Sequence, residues 1–231
     1  MSDAVNIRIL KRVAKQLGPL LDEVVFVGGS ITSFLLSDKA QPGVRSTIDI
    51  DVIIEIGSTQ EYHRLEEQLR QQGFKNGTGE DDPICRWFAD NTPIDVMPTE
   101  ASILGFSNLW YSETIQNALP LDIGESLHIR IASAPYFIAT KIEAFKGRGA
   151  GDFRGSHDLE DIITVLDGRK EIVDEIQGSA RALRAYLKHE LEQLYTNPYF
   201  LEALPGHLLP DSASQARISG LKGKIQNIIK G

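Results

Sequence analysis

The stretch Thr47-Ile48-Asp49-Ile50-Asp51-Val52-Ile53-Ile54-Glu55-Ile56 decides the fold that this sequence predicts. Its even-numbered positions are all apolar and most of its odd-numbered ones are polar, a pattern typical of a β-strand with two distinct faces. Asp49 and Asp51 are two positions apart, so both carboxylates are expected on the same face. Paired acids on one strand are candidates for holding a cation.

A glycine-rich turn lies upstream of this stretch. Val24-Val25-Phe26-Val27 is typical of a buried strand that ends at Gly28-Gly29, and Ser30 is placed to cap a helix that continues through Leu36. Small residues let a phosphate group approach the backbone, and the N–H groups of a helix start attract it. The turn therefore predicts a nucleotide-phosphate site, although such a turn by itself is more often only a connection.

A third carboxylate follows on a later strand. The run from Ile84 to Met97 has two arms around Asp90-Asn91-Thr92, which predicts a hairpin whose second arm carries Asp95. Three acids on neighbouring strands repel one another unless a cation neutralises them, and magnesium favours such oxygen ligands. We therefore predict two Mg²⁺ ions at Asp49, Asp51 and Asp95, with Mn²⁺ as the alternative ion.

Composition narrows the classes of protein that the chain can belong to. Its 231 residues include 24 Lys and Arg against 32 Asp and Glu, a net charge of −8 that disfavours coating nucleic acid through general basicity. Hydrophobic residues make up 42%, enough for a buried core. The single cysteine, Cys85, excludes an internal disulfide and fits a reducing compartment. Because no stretch approaches about 18 consecutive apolar residues, we expect a cytoplasmic protein without a membrane partner.

The later part of the chain has a helical pattern. Ser133 is expected to open one helix, and Ser156 to cap another that ends near Gly168. We therefore predict an α+β fold with two regions. Residues 1–132 would form a catalytic core of a mixed β-sheet flanked by helices, and residues 133–231 a helical C-terminal region that completes the active-site cleft.

Lys141 is a candidate site residue on the first of these helices. Its neighbours three and four positions away on both sides are apolar, so the lysine leaves a stripe that faces the core. A lysine in such a place needs an anion, which we expect to be a nucleotide phosphate; the alternative is a side chain that extends to the surface. Asp158 and Asp161 are spaced so that one can face the cleft, while Asp158 also fits a first-turn charge favoured by the helix dipole.

Several basic residues are candidates for contact with phosphate or an RNA backbone, because a guanidinium grips phosphate in a fork. Any single arginine is more often part of a surface ion pair. The arginines are Arg45, Arg86, Arg148 and Arg154. Residues 212–231 contain no acid and carry a charge of +4, which fits either an RNA-touching tail or a solvated amphipathic helix.

The order of these motifs resembles the nucleotidyltransferase superfamily, whose members share a polymerase-beta-like fold. A closer resemblance is to the AbiEii-like nucleotidyltransferase toxins of bacteria. Their Gly-Gly, followed by Arg-x-Thr-x-Asp-x-Asp, is similar to Gly28-Gly29 and Arg45-Ser46-Thr47-Ile48-Asp49-Ile50-Asp51. The similarity extends over roughly residues 24–169, including Pro83-Ile84-Cys85-Arg86-Trp87 and Ser156-His157-Asp158-Leu159-Glu160-Asp161.

The resemblance implies a magnesium-dependent enzyme that moves a nucleoside monophosphate from an NTP to an acceptor hydroxyl and releases pyrophosphate. It implies tRNA or another RNA as acceptor, a role as toxin in a toxin-antitoxin or abortive-infection system, and a cognate antitoxin as partner. The site residues that it implies are metal-binding Asp49 and Asp51, Asp95 as third ligand or base, catalytic Lys141, and nucleotide-binding Gly28, Gly29, Ser30, Arg45, Lys141 and Asp158.

Two alternatives stay open at this point. One is a catalytically silent scaffold of the same fold that binds nucleotide, RNA or protein, against which the retention of Asp49, Asp51 and Asp95 together argues. The other is an enzyme that modifies an aminoglycoside-type small molecule or a protein hydroxyl. The acidic overall charge suits a cationic drug, whereas the basic C-terminal segment suits RNA.

Overall fold

The structure of the protein is a computed structural model that describes residues 2–38, 43–149 and 151–231. It divides into two compact units. The first comprises Met1–Ile31 and Arg45–Ser133, and the second comprises Thr32–Val44 and Ala134–Gly231. Residues 32–44 thus group with the second unit, although they lie inside the stretch that the sequence assigns to the core.

The first unit contains all strands of the described residues. They are β1 (Val24–Val27), β2 (Ile50–Ile54), β3 (Lys75–Asn76), β4 (Arg86–Ala89), β5 (Thr92–Pro98), β6 (Leu119–Asp122) and β7 (His128–Ile131). These described strands form one seven-stranded sheet in the order β3-β4-β5-β2-β1-β7-β6. β2 runs parallel to β5 and β1 parallel to β7, while the other neighbours are antiparallel. The predicted mixed sheet of an α+β fold is confirmed.

The centre of the sheet positions the acids. β1 is buried along its whole length, as its unbroken apolar run predicts, and it places Val27 opposite Asp51 of β2. On the other side of β2, Asp51 lies in register with Asp95 of β5. The expectation that β2 begins at Thr47 is wrong: the strand begins at Ile50, and the Thr47 hydroxyl instead donates a 2.6 Å hydrogen bond to Asp49 Oδ1.

Helices accompany this sheet along the first unit. They are α1 (Ser2–Leu17), a 3₁₀ helix (Gly18–Asp22), α2 (Thr59–Gln71), α3 (Ala101–Leu104) and α4 (Tyr111–Gln116). Helix α2 buries Tyr62, Leu65 and Leu69, which recur at helical spacing. The Ser58 side chain caps it by accepting a hydrogen bond from the Glu61 N–H at 3.2 Å.

The second unit is helical in its described residues. Its helices are α5 (Ala134–Arg148), α6 (His157–Gly168), α7 (Ile172–Gly178), α8 (Arg181–Thr196), α9 (Pro198–Ala203), a 3₁₀ helix (Leu204–His207), α10 (Ser212–Ala216) and α11 (Ile218–Lys230). The predicted cap at Ser156 and end at Gly168 are confirmed for α6, since Ser156 Oγ accepts from the Leu159 N–H. The apolar faces of these helices, with Phe137, Leu187 and Ile225 fully buried, supply the core.

Candidate active site

Three carboxylates come together around the parallel pair β2 and β5. Asp51 and Asp95 face each other across the parallel pair β2 and β5, and Asp49 directly precedes β2. One oxygen of each carboxylate lies within 4.8 Å of the others. We call Asp49, Asp51 and Asp95 the acid cluster. Their predicted convergence is confirmed.

A glycine beside the acid cluster has no room for a side chain. Gly28 follows β1 with φ +70°, a left-handed conformation that L residues with a Cβ rarely adopt. A Cβ at this position would lie 1.9 Å from Asp51 Oδ2. The sequence predicts glycine here so that phosphate can approach, but the structure shows that the space is needed by the carboxylate of Asp51.

The turn after β1 differs from its prediction. Ser30 does not cap a helix: it lies inside the 3₁₀ helix Gly29–Leu35, one residue after its start. The Ser30 side chain is buried, and its hydroxyl donates a 3.4 Å hydrogen bond to the Val27 carbonyl. Because the helix begins at Gly29, two residues earlier than a cap at Ser30 would place it, the hydroxyl reaches back to β1.

The segment before β2 is held by a residue that the sequence did not single out. Asn6 of α1 is buried; its side-chain amide donates to the Arg45 carbonyl at 3.1 Å, and its side-chain oxygen accepts from the Thr47 N–H at 3.2 Å. Thr47 in turn holds Asp49. A polar residue on the apolar face of an amphipathic helix is the sequence signal that would have drawn attention to Asn6.

Arg86 is the basic partner of the acid cluster. Its Nε and Nη2 each donate a 2.8 Å hydrogen bond to Asp95, one to each carboxylate oxygen, and Nη2 lies 3.9 Å from Asp49 Oδ2. The hydrogen bonds to Asp95 raise the pKa of Arg86 above its ordinary value, more than burial lowers it. Arg86, a predicted phosphate or RNA contact, is thus engaged by a carboxylate of its own chain.

Cys85, next to Arg86, is buried beside the same acids. Burial, and then the negative charge of Asp95, raise the pKa of its thiol to about 12. The thiol stays protonated at neutral pH, and a protonated thiol is a poor nucleophile. Cys85 is therefore not a candidate nucleophile.

The acid cluster fits a hard divalent cation. Its ligands are all carboxylate oxygens, which Mg²⁺ and Mn²⁺ prefer over nitrogen or sulfur. The side chains are partly open to water, with 36% exposure for Asp49 and 12% for Asp95, so an ion and its waters can enter. In the part of the chain that the structure describes, this is the one group of three or more potential ligands close enough to share a metal ion.

Lys141 and Asp158 belong to the second unit. The Lys141 ammonium lies 3.0 Å from Asp158 Oδ1 and 2.7 Å from Asp161 Oδ2, and its side chain is only 8% exposed. Arg148 donates two hydrogen bonds to Asp158, from Nε at 2.9 Å and from Nη2 at 2.8 Å. We call Lys141, Arg148, Asp158 and Asp161 the Lys141 cluster. The expectation that Lys141 needs an anion is confirmed, the surface alternative is wrong, and its nucleotide contact stays a prediction.

The electrostatics of Asp158 reflect these partners. Burial opposes ionisation, but the hydrogen bonds from Arg148 and the charges of Lys141 and Arg148 outweigh it, so the pKa of Asp158 lies below its ordinary value. Asp158 is therefore a paired carboxylate in a buried place, the arrangement that makes buried charge tolerable.

Much of the basic C-terminal segment is engaged within the second unit. Arg217 donates to Asp167 at 2.7 Å and to Asp38 at 2.8 Å. Lys224 donates to carbonyls at the end of α6, those of Leu166, Asp167 and Arg169. Burial lowers the pKa of Lys224. Helix α11 also buries Leu221, Ile225 and Ile228, so one side of it packs in the second unit.

Among the described helices, none has the length and hydropathy that crossing a bilayer requires.

Comparison with known proteins gives the following. No family model and no curated protein matches this chain. A solved structure from H. pylori, described as a nucleotidyltransferase, is 11% identical, covers 98% of this chain and 94% of its own, and has a TM-score of 0.47. The antibiotic-resistance factor ANT(2'')-Ia is 15% identical, covers 83% of this chain and 99% of its own, and has a TM-score of 0.48.

Proposed function

We propose that this protein is a metal-dependent nucleotidyltransferase that moves a nucleoside monophosphate from an NTP to an acceptor hydroxyl. The observation that carries the proposal is the convergence of Asp49, Asp51 and Asp95 beside Gly28, whose missing side chain makes room for Asp51.

The charge of the acid cluster supports a cationic ligand. The three carboxylates lie within 4.8 Å of one another, and the guanidinium of Arg86 lies 2.8 Å from Asp95 and 3.9 Å from Asp49. Like charges this close raise the free energy of the folded protein unless a cation enters. A divalent ion would neutralise this negative charge, and carboxylate oxygens are the donors that it prefers. Mg²⁺ is the ion that we propose, with Mn²⁺ as its substitute.

Each residue has a defined task in the proposed reaction. Metal ions bound at the acid cluster would stabilise the charge on the phosphates and activate the attacking oxygen. Asp49 and Asp51 would hold the ion, and Asp95 would be its third ligand or the base that orients the acceptor hydroxyl and takes its proton. The acceptor oxygen bonds to the α-phosphorus, the bond from that phosphorus to the bridging oxygen breaks, and pyrophosphate leaves. Positioning and electrostatics do most of the work.

The finer parts of the proposal rest on the resemblance of Arg45-Ser46-Thr47-Ile48-Asp49-Ile50-Asp51 to the AbiEii-like toxins. We propose tRNA as acceptor, a cognate antitoxin as partner and the bacterial cytoplasm as location. The nucleotide contacts proposed on the same ground are those of Gly28, Gly29, Ser30, Arg45, Lys141 and Asp158.

The test is incubation of the protein with Mg²⁺, each labelled NTP in turn and total tRNA. Asp49→Asn and Asp51→Asn are run alongside Asp81→Asn, which removes an exposed acid of the same unit that is not part of the acid cluster. We expect label on tRNA with the unmodified protein and with Asp81→Asn, and none with the other two variants.

Other outcomes separate the alternatives. Label on an aminoglycoside or a protein, but not on tRNA, would keep the reaction and replace the acceptor; the net charge of −8 is the property that suits a cationic small molecule. If no acceptor is labelled and Mg²⁺ with NTP fails to raise the unfolding temperature, the enzyme proposal is wrong and a scaffold is left.

A further inference from the structure

Arg86 holds the third carboxylate of the acid cluster through both of its oxygens. The two residues are direct cross-strand partners in the hairpin of β4 and β5, where Arg86 lies opposite Asp95. The two 2.8 Å hydrogen bonds form the planar fork that guanidinium and carboxylate make together. The same guanidinium also lies 3.9 Å from Asp49. Its positive charge therefore touches two of the three acids.

This contact competes with a metal ion. A cation needs carboxylate lone pairs, and each Asp95 oxygen already accepts a hydrogen bond from Arg86. The guanidinium also repels any cation that approaches Asp49 and Asp95, and the repulsion is strong at such distances in a partly buried site. Arg86 and a divalent ion thus compensate the same negative charge.

The hairpin does not need the ion pair to hold its shape. Beside it, Trp87 pairs with Ile94, and both side chains are buried. The Arg86 side chain is 21% exposed, so its long stem can carry the guanidinium toward water without disturbing those contacts. Packing holds the strands, while the charged end of Arg86 is able to move.

We propose that Arg86 is the built-in counter-ion of the acid cluster: it neutralises Asp95 while no metal ion is bound and yields that carboxylate when a divalent ion enters. Arg86 thereby sets the affinity of the site for metal. It is a positioning residue that acts through Asp95. The inference rests on the proposed function for the class of ion, and it adds what controls the binding of that ion.

The test is calorimetric titration of the nucleotide-free protein with Mn²⁺. We compare the unmodified protein with Arg86→Gln, and with Arg64→Gln as a matched control that removes an equal charge from an exposed helical position. Loss of the competing charge should tighten Mn²⁺ binding by about tenfold or more in Arg86→Gln. Arg64→Gln should change it less than about twofold. Arg86→Lys keeps the charge without the fork, and we expect it to fall in between.

A second readout guards against a general effect on folding. Without metal, Arg86→Gln should unfold at a lower temperature than the unmodified protein, and saturating Mn²⁺ should remove most of that difference. When Asp95 is already Asn, the further change Arg86→Gln should tighten Mn²⁺ binding much less. Equal or weaker Mn²⁺ binding by Arg86→Gln, with Arg86→Lys unchanged, would overturn the inference.

The outcomes also distinguish this inference from the proposed function. If Mn²⁺ binds, Asp51→Asn abolishes binding and Arg86→Gln has no effect, the inference alone fails. If Arg86→Gln tightens binding but no nucleotide is ever transferred, the proposed reaction fails and the counter-ion role stands. If neither the unmodified protein nor Arg86→Gln binds Mn²⁺, both fail.

Discussion

The acid cluster and the Lys141 cluster both contain carboxylates, but the two clusters differ in how many cations accompany them. In the first unit, Asp49, Asp51 and Asp95 lie within 4.8 Å of one another, the guanidinium of Arg86 contacts Asp49 and Asp95, and the side chains are partly open to water. In the second unit, two carboxylates are matched by one ammonium and one guanidinium, and the lysine and both acids are almost completely buried. The acid cluster brings carboxylates together, whereas the Lys141 cluster pairs its carboxylates with cations.

The difference between the two clusters shows how the pairing of charges bears on what a cluster can do. Paired buried charges stabilise the fold, whereas neighbouring charges of one sign attract a ligand. A buried ion pair is tolerated when each charge has a partner, and it then becomes costly to remove either one. An exposed excess of one sign has the opposite property, because it gains free energy when a ligand of the other sign arrives. We therefore expect changes in the acid cluster to affect mainly the reaction, and changes in the Lys141 cluster to affect folding in addition to the proposed nucleotide contacts of Lys141 and Asp158.

The largest effect expected is on the reaction. Asp51→Asn should lower the rate of nucleotide transfer by about 10⁴-fold, close to 5.5 kcal/mol, because it removes a metal ligand while its size is kept. The free energy of unfolding should change much less, by under about 1 kcal/mol, since Asn keeps the size of Asp and the repulsion among the acids is relieved. Rate assays and denaturant titrations measure the two quantities. A large loss of stability with normal activity would contradict this, because it would show that Asp51 supports the fold and not the reaction.

Next is the effect of Lys141→Met on stability. It leaves two buried carboxylates without their ammonium, and we expect a loss of about 3–5 kcal/mol in the free energy of unfolding. The matched control is Lys146→Met on the same helix, whose ion pairs with Glu143 and Glu190 are exposed enough that their loss should cost under about 1 kcal/mol. Equal losses in the two variants would contradict a special role for the buried cluster.

We expect a smaller loss in the free energy of unfolding for Gly28→Ala. This variant tests whether the backbone at Gly28 supports the acid cluster. The methyl group would strain the left-handed backbone and push Asp51 away, at a cost of about 2–3 kcal/mol. Gly105→Ala is the control: its φ is +82°, yet nothing lies within 4 Å of an added Cβ, so only the strain of about 1–2 kcal/mol remains. Mn²⁺ affinity should fall in Gly28→Ala alone.

The smallest effect concerns pH. The folded protein lowers the pKa of Asp158, so this group adds stability that is complete above its unfolded pKa, near 3.8, and is lost as the pH falls through the folded value. Denaturant titrations between pH 3 and pH 7 should show a decline at the acid end that is shallower in Asp158→Asn. An unchanged slope in that variant would place the acid sensitivity elsewhere.

Much of the acid cluster could be predicted because its signals are local. The alternation around Asp49 and Asp51 indicates a strand, and Asp95 on a later apolar arm indicates another. The predicted start of β2 at Thr47 is wrong because a side-chain hydrogen bond from Thr47 to Asp49 takes the place of strand pairing there. The strand propensities of these residues do not reveal that hydrogen bond.

The role of Arg86 required the register of the hairpin. Ala89 pairs with Thr92 around a loop of only Asp90 and Asn91, and counting back along both arms brings Arg86 opposite Asp95. The sequence also fits a three-residue loop, Asp90-Asn91-Thr92, which leaves that pairing undetermined. The balance of the Lys141 cluster was equally hidden, because α5 and α6 join its members through packing of separate helices.

Gly28 has a consequence for the gene as well as for the fold. Every amino acid that a missense change can put in place of glycine carries a β-carbon, and at this position that carbon meets Asp51 Oδ2. Codon 28 is therefore a place where only synonymous variation is compatible with an intact acid cluster. In a saturation library selected for activity, we expect the surviving clones to encode glycine at this codon, whichever of its four triplets they use.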